Sequence, residues 1–148
     1  MKHQINYCIL ILVSAFAFGA CSREDETPIK AVPTSENIEI GLGNNEMAVI
    51  GEDFHFEADI TAGDKLAAVE LAIRQLPAET YSGPWSYEVI WEEYKDLKNA
   101  NVHKHFDIPD DAVEGKYEVV ITILDQNGES QTVTRNLMIY KKGNVPQN

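Results

Sequence analysis

"DFHFEADI", residues 53–60, alternates apolar and polar side chains without a break. Phe54, Phe56, Ala58 and Ile60 fall on one side, and His55, Glu57 and Asp59 on the other. A period of two is the repeat of a strand with one buried face, whereas a helix would scatter these residues around its axis. The segment therefore reads as a β-strand with an aromatic face turned inward and a histidine–acid face turned outward.

The same reading extends along the chain. "ENIEIG" (36–41) alternates. "LAAVELAIRQL" (66–76) is apolar enough for helix or strand, but Val69, Leu71 and Ile73 fit period two and favour a strand. "WSYEVIWEEY" (85–94) puts Trp85, Tyr87, Val89 and Trp91 on one side. "NVHKHFDI" (101–108), bounded by Pro109, has Val102, Phe106 and Ile108 as its inward set, which turns His103, His105 and Asp107 outward. "KYEVVITIL" (116–124) places Tyr117, Val119, Ile121 and Ile123 together, and "SQTVTRNLMIYK" (130–141) closes the set. "DQNG" (125–128) predicts a tight hairpin turn, "LPAETYSGP" (76–84) a longer loop and "GLGNNE" (41–46) a turn. Seven short strands separated by such signals predict an all-β domain over residues 36–141, an Ig-like antiparallel β-sandwich, with 142–148 as a C-terminal tail. Gly115-Lys116-Tyr117 resembles the tyrosine corner of such domains, in which the hydroxyl bonds back to the chain, here to Asp110–Val113. The plainer reading is a tyrosine that is merely buried.

The first 20 residues do not belong to that fold. They begin with Lys2, run apolar from about Tyr7 to Phe18 and end in Gly19 and Ala20, which is the layout of a secretory signal. The run is short for a membrane span, which needs about 20 apolar residues. Phe18-Gly19-Ala20-Cys21 resembles the lipobox of bacterial lipoproteins, with Phe18 in place of the usual leucine. That motif implies cleavage before Cys21 and acylation of its thiol. Residues 21–35 hold acids, prolines and small polar groups and read as a flexible tether. Within it, Ser22-Arg23-Glu24-Asp25-Glu26 resembles the acidic signal that sends lipoproteins to the cell surface, and reads equally well as a solvated acidic linker. The expected location is the outer membrane, lipid-anchored and facing the medium.

Charge and cysteine content narrow the functions further. The full chain has a formal net charge of −12, and loss of the signal removes Lys2 and no acid, leaving −13. Such a surface repels nucleic acid and anionic lipid, so nucleic acid is excluded as a partner. Cys8 departs with the signal, so no disulfide forms within the mature chain and stability rests on a packed core.

Histidine chemistry is the main functional signal. If the strands holding His55 and His103/His105 are neighbours, as the second and fifth strands of an Ig-like sandwich are, the two outward rows share one face. Imidazole suits Zn, Cu, Fe and Ni, and carboxylate completes such a shell, so His55, His103 and His105 with Glu57, Asp59 and Asp107 are candidate metal ligands, for Zn, Cu or Fe. The register expected sets Glu57 opposite His105, His55 opposite Asp107 and Asp59 opposite His103. The metal-free alternative is acid–histidine pairing across strands, which contributes about 0.2–1 kcal/mol per pair.

Signals for catalysis are weak. The mature chain has no cysteine besides the anchor, no Gly-x-Ser-x-Gly and no phosphate-binding loop. Glu92-Glu93 and Asp110-Asp111 read as solvated acid pairs. Trp85, Tyr87 and Trp91 form either a sugar platform or, more in keeping with their alternation, core. The expectation is a protein that is not an enzyme.

Three stretches carry a family resemblance. "IEIGLGNNEMAVIGEDFHFEADITA", "NVHKHFDIP" and "GKYEVVITILDQNGE" resemble a lipoprotein family of Bacteroidota, domain of unknown function 4625. The resemblance covers about residues 28–141 and implies an Ig-like sandwich on a lipid anchor, with no established activity. It also implies further histidines where this chain has Arg74 and Glu118, a departure that weakens the case for metal. Two functions follow as expectations. One is a surface binding module that engages an outer-membrane protein partner, as an accessory to uptake; the other is a metal-binding lipoprotein.

Overall fold

The computed structural model describes residues 30–146. The signal segment, Cys21 and the start of the tether lie outside the described residues. Eight strands run in the order β1 (Thr34–Ile40), β2 (Met47–Val49), β3 (Asp53–Thr61), β4 (Leu66–Gln75), β5 (Ser86–Trp91), β6 (Asn99–Asp107), β7 (Gly115–Asp125) and β8 (Ser130–Tyr140), with a short 3-10 turn at Glu92–Tyr94 between β5 and β6. They form a three-stranded sheet, β1-β3-β6, and a five-stranded sheet, β2-β8-β7-β4-β5. This partition of strands is that of an Ig-like β-sandwich. Among the described residues, no helix is long and apolar enough to cross a membrane.

The alternating faces build the core. Phe54, Phe56, Ala58 and Ile60 of β3 are buried, and they meet Val69, Leu71 and Ile73 of β4 and Tyr117, Val119, Ile121 and Ile123 of β7. Full burial of a side chain such as Phe56 contributes about 1.5–3 kcal/mol. "LAAVELAIRQL" resolves as strand β4, an inner strand paired with β5 and β7, with Val69, Leu71 and Ile73 buried and Glu70 and Arg74 on the other face. Of the aromatic row, Trp91 is buried in the core, while Tyr87 and Trp85, the latter just ahead of β5, are partly buried against it. Trp91 stacks on Phe56 at 5.4 Å between centroids, Tyr87 stacks on Phe106 at 5.1 Å, and Trp85 meets the Tyr117 ring edge-on at 5.5 Å.

Three details depart from the sequence reading. A short eighth strand, β2, lies parallel to β8 in an otherwise antiparallel structure. It is only three residues long, too short to show a period. Strand β1 begins at Thr34, inside the stretch read as tether, because Thr34 and Ser35 pair with Thr61 and Ile60. The alternation of "ENIEIG" is also interrupted. Between Glu36 and Glu39 strand β1 carries a bulge, with Asn37 in the left-handed region at φ 50°, where asparagine is one of the few tolerated side chains.

The turns follow their local chemistry. The β7–β8 hairpin closes with Asp125 Oδ1 accepting from the backbone N–H of Asn127 and of Glu129, while Gly128 takes φ 83°. In the β1–β2 turn, Asn44 Oδ1 accepts from Ile40 N and Asn45 Oδ1 from Met47 N. The corner before β7 forms as the motif implies, with Tyr117 OH donating to Val113 O at 2.6 Å.

Candidate metal centre

Strand β3 is the middle strand of the three-stranded sheet, with β6 on one side and β1 on the other. Because its even-numbered residues from Phe54 to Ile60 enter the core, its odd-numbered residues form the outer face. The pairing sets Asp53 opposite Asp107, His55 opposite His105, Glu57 opposite His103 and Asp59 opposite Asn101. The three histidines therefore share one outer face with Glu57, Asp59 and Asp107. The register differs from the expected one by two residues. His55 faces His105 instead of Asp107, Glu57 faces His103 instead of His105, and Asp59 faces no histidine. Only an odd slip moves the apolar residues to the wrong face, so alternation cannot distinguish registers two residues apart.

The shifted register brings imidazole to imidazole. His55 Nδ1 lies 3.3 Å from His105 Nε2, and His103 Nε2 lies 3.2 Å from the same atom. Each histidine offers a ring nitrogen within 4.8 Å of those of the other two. His105 Nδ1 donates to Asp53 Oδ2 at 2.6 Å, so in the neutral ring the lone pair sits on Nε2. Both neighbouring nitrogens face that one lone pair, which serves a single donor well. A cation among the three nitrogens would accept one lone pair from each ring.

Carboxylates surround this group. His55 Nε2 lies 3.5 Å from Glu39 Oε2 and 3.9 Å from Glu57 Oε2. Asp53 and Glu39 are the site residues that sequence reasoning missed. Asp53 had a signal, since it has the parity of His55 and begins the same strand. Glu39 had its alternation with Ile38 and Ile40, but nothing set it opposite Glu57, because that place depends on the bulge in β1. Two candidates stand away from the imidazoles. Asp107 lies beyond His105, opposite Asp53. Asp59 is held by Asn101 and Asn37 at 2.9 and 2.8 Å, bonds that lower its pKa below the ordinary carboxylate value. Both are outer neighbours of the cluster, and neither belongs to it.

The exposure of the rings is graded. His55 is only 7% exposed because it lies between β1 and β6, whereas His103 and His105 are open to solvent. The outward positions of the three strands carry Glu36, Glu39, Asp53, Glu57, Asp59 and Asp107, and no lysine or arginine. Lys104 has the opposite parity and pairs with Glu93 instead. Of the other acid pairs, Asp111 accepts from Trp85 Nε1 at 3.3 Å. Arg74 and Glu118 face each other across β4 and β7 in the other sheet, so the residues there do not bear on this cluster.

Fold and face together define an Ig-like β-sandwich domain with a histidine–carboxylate cluster on the outside of its smaller sheet. The chain belongs to the family described as Domain of unknown function (DUF4625), whose model matches residues 19–140. No protein among curated sequences matches it. Among solved structures it is similar to OgpA from Akkermansia muciniphila, with a TM-score of 0.52 at 10% identity. That alignment covers 74% of this chain and 29% of OgpA, and the likeness is one of fold alone. It is also similar to the soluble domain of PmoD from Methylocystis sp. (TM-score 0.40, 15% identity, covering 70% of this chain and 89% of that one). A third similar structure is a CARDB domain from Pyrococcus furiosus in complex with di-metal ions (TM-score 0.36, 12% identity, covering 73% and 87%).

Proposed function

We propose that this protein is a non-catalytic surface module that captures a divalent transition metal, zinc or copper foremost, through His55, His103 and His105. One observation carries the reading: two imidazole nitrogens lie 3.2 and 3.3 Å from a third. Ligand nitrogens about 2.0–2.1 Å from a tetrahedral zinc ion lie about 3.3–3.4 Å apart. The spacing needs little change to accept an ion. The donor set is all imidazole and contains no sulfur, which suits zinc, copper and iron. Asp53 on the far nitrogen of His105 fixes the ring and leaves its other nitrogen free for metal.

The fourth position faces solvent, which fits a site that picks up and releases its ion. The acidic face raises the local concentration of cations. On a lipidated Cys21 at the outer-membrane surface, such a module would serve an uptake protein as its partner. Titration of the purified protein with Zn²⁺ and with Cu²⁺ at neutral pH tests the site, beside a variant carrying His103→Ala and His105→Ala. Losing a carboxylate that orients a ligand costs about 10–100-fold in affinity, and losing two ligands costs more. Stoichiometric binding by the parent and a loss beyond a hundredfold in the variant are expected. No binding by the parent, or equal binding by the variant, overturns the proposal.

A further inference from the structure

His55 faces two donor groups, one with each ring nitrogen. Nδ1 looks toward β6 and the other two imidazoles, while Nε2 looks toward β1 and the carboxylates of Glu39 and Glu57. The same residue thus belongs to two groups of potential ligands, His55/His103/His105 and Glu39/His55/Glu57. We propose that His55 is a bridging ligand, and that a second divalent cation binds between its Nε2 and the Oε2 atoms of Glu39 and Glu57. This inference rests on the three-histidine site proposed above and adds a second ion to it.

On the carboxylate side both separations are longer than hydrogen bonds, and the one to Glu39 matches the spacing of two ligands around an ion. An N–H···O hydrogen bond measures about 2.7–3.2 Å, and the separations from Nε2 are 3.5 and 3.9 Å. Two ligands of one zinc ion lie about 3.3–3.5 Å apart when their bonds are about 2.0–2.2 Å long. Glu57 is pre-set for the role. Its Oε1 accepts from Asn101 Nδ2 at 2.8 Å, which leaves Oε2 toward His55. The bulge in β1 sets Glu39 opposite Glu57. The His55 side chain is only 8% exposed, enclosed between its neighbouring strands. Charge favours the second ion as well, because no lysine or arginine occupies the outward positions of the three strands to offset their carboxylates.

The binding step is balanced by one proton. With the first ion on Nδ1, His55 carries its proton on Nε2. Entry of the second ion breaks that N–H bond, the proton passes to solvent, and Nε2 donates its electron pair to the metal. The ring becomes an imidazolate shared by two ions, with water completing each shell. No oxidation or reduction takes part.

Cu²⁺ serves as both ion and probe in the purified protein. The first equivalent should build an electron paramagnetic resonance signal of one spin per chain. The second should remove it, because two Cu²⁺ ions joined by an imidazolate couple antiferromagnetically. Supplying the second equivalent as diamagnetic Zn²⁺ should preserve the signal. A variant with Glu39→Gln and Glu57→Gln should stop at one equivalent and keep its spin, binding that ion about 10–100-fold more weakly because the carboxylates facing the far nitrogen of His55 are lost. Far-ultraviolet circular dichroism would verify that the variant is folded. A parent that stops at one equivalent, or that binds two with two independent spins, overturns the bridge and leaves the three-histidine site standing. A parent that binds no copper, or binds it as well after His103→Ala and His105→Ala, overturns both.

Discussion

Tyr117 shows how much one side chain at the corner carries. It is 1% exposed, and its hydroxyl donates to Val113 O at 2.6 Å. Tyr117→Phe leaves that carbonyl without its partner, and a destabilisation of about 1–3 kcal/mol is expected at neutral pH. Burial of the ring raises the pKa of its hydroxyl. A raised folded value means that the neutral phenol is favoured in the fold. Its contribution is complete below the unfolded pKa of about 10 and is lost as pH rises through the folded value. Tyr117→Phe lacks this titration, so the stability gap between the two proteins should narrow above about pH 10. Denaturant midpoints measured across that range would show it, and a gap near zero at neutral pH would mean that the hydroxyl is not a determinant of the corner.

Strand β6 has a different burden, since it is the edge of its sheet and bears two of the three imidazoles. An exposed edge invites pairing with another chain unless something blocks it. Lys104 sits on the inward face of this edge, with its Nζ paired to Glu93 and lying 4.9 Å from the centre of the Tyr94 ring. The lysine stem covers apolar surface while its charge stays near solvent, and a charge aimed inward on an edge strand discourages edge-to-edge association. Lys104→Val should therefore increase self-association over the parent, as measured by light scattering across a concentration series. Equal scattering by both proteins would assign that protection to another feature of the edge. On the opposite edge the bulge in β1 ends regular pairing near Asn37 and sets Glu39 beside Glu57.

For the molecule as a whole, anchoring and charge act together. A chain with net charge −12 is repelled by anionic membrane surfaces, so the anchoring proposed above would depend on acyl chains. Each buried CH₂ contributes about 0.8 kcal/mol, and stable anchoring needs more than one chain. Cys21→Ala should abolish lipid labelling and release the protein from the membrane fraction. Retention of the unlabelled variant on membranes would defeat the lipoprotein reading. The metal-binding proposal is independent of that result, because its residues all lie on β1, β3 and β6.

Alternation assigned the inward residues, and together with the turn signals and an Ig-like strand order it placed the three histidines on one outer face of a two-sheet sandwich. A pleated strand turns every second side chain the same way, and the cost of burying the wrong set is large. That is why "DFHFEADI" and "NVHKHFDI" each disclosed a face. The contacts within the face required the fold. His55 meets His105, and Asp53 meets His105, because of a register that alternation leaves free to shift by two. Glu39 joins because one strand carries an extra residue at Asn37. Side-chain parity is a local property written into the spacing of residues, whereas register and bulges are fixed by how the sheets pack and how the chain turns between strands, and only the folded chain decides those.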